Sequence, residues 1–98
     1  MEFNSIEKMA IIFFLNKIME ADTIIDPREV EFLDQMYVRL AVTEQDLPRL
    51  EMMDLEYSAK IISGMMPDKI QFAKEAFSEM AVCDGFYDPR EKKLIESL

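Results

Sequence analysis

The sequence predicts an all-α protein: one compact bundle of about five or six helices over residues 1–98, built around a duplicated helix–loop–helix unit. Three observations predict it. Apolar residues recur at spacings of three and four along most of the chain, the period of a helix face. Only two glycines and four prolines punctuate it, too few for the frequent turns of a β-sandwich or barrel. One acidic segment occurs twice, each time between two helical patterns. Half of the residues are hydrophobic and about a third charged, the balance of a chain that folds around a single core.

The first helix is expected from about Ser5 to Ala21. Asn4, with Glu7 three residues on, forms a capping box in which each side chain accepts from the other's backbone N–H. Ile6, Met9, Ala10, Ile11, Ile12, Phe13, Phe14, Leu15, Ile18 and Met19 cover most of its circumference, which places it in the middle of the bundle. Pro27 opens a second helix reaching about Leu40, with Val30, Leu33, Met36, Tyr37 and Leu40 as its apolar face. Thr43 with Asp46 looks like the start of a short helix, with Pro48 leaving its first residue open. Another runs from about Asp54 to Ser63, with Leu55, Ala59 and Ile62 on one face and Gly64 ending it in a left-handed turn. Pro67 opens a helix to about Cys83 whose core stripe is Ile70, Ala73, Phe77, Met80 and Ala81. Pro89 opens the last one, carrying Leu94, Ile95 and Leu98.

Twenty acidic against eleven basic residues give a net charge of −9. A field of that sign repels phosphate backbones, so nucleic acid is not expected as a partner, whereas cations or basic protein surfaces are. The longest apolar run, Met9 to Leu15, is far shorter than the roughly 20 residues of a membrane span, and Met1-Glu2-Phe3-Asn4 lacks a basic secretory start. A cytoplasmic protein without direct membrane insertion is therefore expected. The one cysteine, Cys83, forms no intramolecular disulfide.

The repeat carries the chemistry. Asp22-Thr23-Ile24-Ile25-Asp26-Pro27-Arg28-Glu29 matches Asp84-Gly85-Phe86-Tyr87-Asp88-Pro89-Arg90-Glu91 at an offset of 62, with both aspartates, the proline, the arginine and the glutamate identical. The match extends outward: Ile18 meets Met80, Leu15 meets Phe77 and Leu33 meets Ile95, so two like units can pack about a pseudo-two-fold axis. Asp26 and Asp88 stand as N-caps, with proline first and Glu29 or Glu91 third, which is a capping box; on that reading Asp26→Ala costs about 1 kcal/mol of stability. Capping leaves Asp22 and Asp84 without a reason. They follow a helix C-terminus, where the dipole disfavours negative charge.

Each loop thus gathers three carboxylates, Asp22, Asp26 and Glu29 or Asp84, Asp88 and Glu91. Such oxygen donors suit a hard divalent cation, Ca²⁺ or Mg²⁺, and suit Zn²⁺ poorly in a chain without histidine. The spacing is not that of an EF-hand. Arg28 and Arg90 point the other way, because a guanidinium beside the acids can neutralise them within a loop or across the axis.

The segments Ala21 to Glu29 and Cys83 to Glu91 resemble the A-D-G-x-hydrophobic-D-x-x-E motif of the TerB-like (tellurite-resistance) helical domains. The resemblance covers nearly the whole chain, since that family also repeats this loop within an all-helical domain; Thr23 departs from its usual glycine. It implies a bundle whose acidic residues are suspected of metal binding, acting in stress-response or membrane-associated complexes. A similar domain precedes the J-domain of a DnaJ-like co-chaperone. Asp22, Asp26, Glu29, Asp84, Asp88 and Glu91 fall on the family's acidic positions.

No enzymatic constellation accompanies these residues. Cys83 has no histidine to activate it, and neither a nucleophile nor a phosphate-binding glycine loop joins the carboxylates. Nine methionines, including Met52-Met53 and Met65-Met66, serve as core fillers or as an adaptable groove for a partner helix. Two functions are carried forward. One is a regulatory module that binds a divalent cation through both loops. The other is a metal-free interaction domain that docks a protein partner or a second copy of itself.

Overall fold

The computed structural model describes residues 2–20 and 27–82. Its elements are α1 (Ser5–Glu20), α2 (Pro27–Arg39), a 3-10 helix (Leu47–Met52), α3 (Leu55–Ser63) and α4 (Pro67–Val82), with no strand among the described residues. The architecture is an all-α bundle of the predicted kind. The helix expected after Pro89 lies outside the described residues.

α1 is the central helix and packs against every other element. Its start is fixed by the predicted box: the Asn4 N–H donates to Glu7 Oε1 at 3.0 Å, and the Glu7 N–H donates to Asn4 Oδ1 at 2.8 Å. Met9, Ala10, Ile11, Ile12, Phe14, Leu15, Ile18 and Met19 are all buried, consistent with a helix apolar nearly all round. Asn16, facing partly inward, donates Nδ2–H to the Ile12 carbonyl at 3.1 Å, so its amide is not stranded.

α1 and α4 are parallel and in register. Glu7 and Lys69, equivalent under the 62-residue repeat, are ion-paired at 2.9 Å near the starts of the two helices. Farther along, the rings of Phe14 and Phe77 meet with centroids 4.7 Å apart. Contact at both levels is impossible for antiparallel helices of this length, about 24 Å at 1.5 Å per residue. The two helices also begin at equivalent residues, Ser5 and Pro67. The equivalent pairs Ile11/Ala73, Leu15/Phe77 and Ile18/Met80 are buried on both sides.

α2 turns a different face inward from the one the spacing suggests. Glu29, Phe32, Leu33, Met36 and Leu40 are buried, while Val30 is 43% exposed and Tyr37 only half-buried. Rotating the stripe by a fraction of a turn exchanges Val30 for Phe32, and the larger ring removes more apolar area from water. α2 ends in a Schellman turn. The Val42 N–H reaches the Tyr37 carbonyl and the Ala41 N–H the Val38 carbonyl, both at 3.0 Å, with Ala41 left-handed at φ 52.

The short helix starts later than expected, at Leu47 rather than Thr43. The Asp46 side chain does not cap it, because that carboxylate is engaged on its other side. α3 is capped by Asp54, whose Oδ1 accepts from the Tyr57 N–H at 2.7 Å. Its buried residues are Ser58 and Ile62, with Leu55 largely outside; the Ser58 hydroxyl is satisfied by the Leu55 carbonyl at 3.2 Å. Gly64 is right-handed, φ −88, so its left-handed turn is not formed. α4 buries Ala73, Ala76, Phe77, Met80 and Ala81, leaving Ile70 half-buried.

Candidate functional site

Of the six acidic positions singled out by the repeat, Glu29 lies among the described residues. Asp22, Asp26, Asp84, Asp88 and Glu91 lie outside them, as do Cys83 and Arg90. Glu29 stands in the first turn of α2 on the side turned to the core, and only 1% of it is exposed. A carboxylate so far from water needs a cation or several donors to offset its lost hydration. Neither Glu29 nor its neighbour Arg28 is without an interaction partner. The helix spacing that makes Glu29 the third residue of a capping box also sets it on one line with Leu33, Met36 and Leu40, and its burial follows from that line.

The α1–α4 register bears on the site because the repeated segments follow these two helices. The last described residues of the pair, Glu20 and Val82, stand at the same end of the bundle, since the helices are parallel and start level. At the opposite end, burial pushes the Glu7 carboxyl up, but the Asn4 N–H and the Lys69 ammonium outweigh it and hold it below the ordinary carboxylate range. This pair seals the starts of α1 and α4 together.

A second polar cluster, which the sequence reading passed over, ties the 41–46 segment to α1. Asp46 is 3% exposed and accepts from the Ser5 hydroxyl, from the Thr43 N–H at 2.8 Å, from the Thr43 hydroxyl at 3.2 Å and from Lys8 Nζ at 3.4 Å. Lys8 Nζ also donates to the Ala41 carbonyl at 3.0 Å. The Ser5 and Thr43 hydrogen bonds lead in drawing the Asp46 carboxyl down to about 2. The only sequence trace of this cluster is Thr43 three residues before Asp46. Its other members are 38 and 41 residues away from Asp46, beyond any local pattern.

Beside it, a cleft of about 380 Å³ is walled by Phe3, Leu40 and Phe72 and edged by Glu2, Lys8 and Arg39. The Phe3 and Phe72 rings lie 5.3 Å apart, and Lys69 sits over Phe3. Arg39 reaches Glu79 at 4.0 Å, a contact exposed enough to add little stability.

Among the described residues, no three or more carboxylate or thiol groups gather closely enough to hold a metal ion, and no helix is long and apolar enough to cross a membrane. Of the paired methionines, Met53 and Met65 are buried in the core, whereas Met52 and Met66 are exposed. Taken together, the described residues form an all-α bundle, and the sequence carries a repeat at an offset of 62 residues. No family model, no curated protein and no solved structure matches the chain.

Proposed function

We propose that this chain is a non-enzymatic, acidic helical module that binds a divalent cation, Ca²⁺ or Mg²⁺, through its duplicated Asp-x-x-x-Asp-Pro-Arg-Glu loops. Asp22, Asp26 and Glu29 serve as ligands in one loop and Asp84, Asp88 and Glu91 in the other. The setting is that of the TerB-like domains its motif resembles, a cytoplasmic stress response. The observation that carries the reading is the parallel, in-register packing of α1 and α4, from whose common end both acidic segments continue. The donor chemistry fits: hard carboxylate oxygens and no histidine.

A second reading, a metal-free domain that docks a protein partner or a second copy, is favoured by the exposure of Met52, Met66, Leu47 and Leu55. Adaptable apolar side chains of this kind suit a partner helix.

Thermal unfolding separates the two. Dialysed protein is melted in EDTA and in millimolar Ca²⁺, Mg²⁺ or Mn²⁺, beside the Asp22→Asn/Asp84→Asn variant. A cation at ten times its Kd stabilises the folded state by about 1.4 kcal/mol, about 5–10 °C in a domain of this size. That rise, absent from the double variant, is expected. Equal midpoints in every condition would leave the loops as caps and ion pairs, and would move the assignment to the interaction domain.

A further inference from the structure

We draw no further inference here: the strongest candidate, the aromatic-walled cleft between the start of α1 and the end of α2, carries nothing, because the cations that edge it, Lys8 and Arg39, are already paired with Asp46 and Glu79 of this chain and nothing in the structure shows what covers it.

Discussion

Exchanging residue types between positions 41 and 64 should stabilise the protein at both sites. Ala41 holds the left-handed position of the Schellman turn with φ 52, a conformation that costs a residue with a Cβ about 1–2 kcal/mol. Glycine removes that cost. It also loosens the unfolded chain, which takes back about 0.4–1 kcal/mol, so Ala41→Gly should gain about 0.5 kcal/mol. The Lys8 bond to the carbonyl of residue 41 involves no side chain there and survives. At Gly64 the argument reverses. Its φ of −88 suits any residue, and an added Cβ would meet the Lys60 and Ile61 carbonyl oxygens at 3.4 and 3.7 Å, ordinary contact distances. Gly64→Ala should therefore gain about 0.5–1 kcal/mol from the unfolded state alone. The two sites share no hydrogen-bond partner, so the double variant should add to roughly 1 kcal/mol, or about 4–8 °C in midpoint. Urea and thermal melts followed by circular dichroism at 222 nm measure it. Destabilisation by Ala41→Gly would refute the strain argument, and destabilisation by Gly64→Ala would refute the assigned backbone.

Three further outcomes follow from the same geometry. Removing one partner of the Glu7–Lys69 pair, as in Lys69→Met, should cost about 1 kcal/mol, while the reversed pair Glu7→Lys/Lys69→Glu should recover part of the loss in a double-mutant cycle; simple additivity would contradict the contact. Phe14→Ala and Phe77→Ala, at fully buried rings that touch, should each cost about 3–5 kcal/mol in urea melts, and a cost under 1 kcal/mol would contradict the α1–α4 packing. The Asp46 carboxyl titrates at about 2 when folded, below its ordinary 3.8, so its stabilisation is complete above pH 4 and is lost as pH falls towards 2. Asp46→Asn should accordingly be less stable at pH 7 and show a shallower acid decline, and superimposable acid curves would sink the assignment.

Much of this fold is written in local patterns. The Asn4–Glu7 box and the all-round apolar α1 each follow from residues within a few positions of one another, and each forms as read. What escaped depends on distant neighbours. The spacing of α2 allows Val30 or Phe32 to complete the inward stripe, and only the shape of the space beside α1 and α4 decides for Phe32. Gly64 and Ala41 show the limit of residue type as a guide to backbone: glycine permits the left-handed turn without compelling it, and alanine adopts it where two hydrogen bonds close the turn. Asp46 read as the start of a helix because two of its partners, Ser5 and Lys8, come from the far end of the sequence. For the candidate site, the repeat was legible as an offset of 62 residues, and the same offset reappears in space as the Glu7–Lys69 pair.

Isothermal titration calorimetry of Ca²⁺ and Mg²⁺ into the EDTA-stripped full chain tests the central claim most directly. The account predicts saturable binding by the wild-type chain, weakened by Asp22→Asn or Asp84→Asn alone and abolished when both are changed. Binding isotherms that stay flat to millimolar cation, or that are unaltered by the two substitutions, would contradict it.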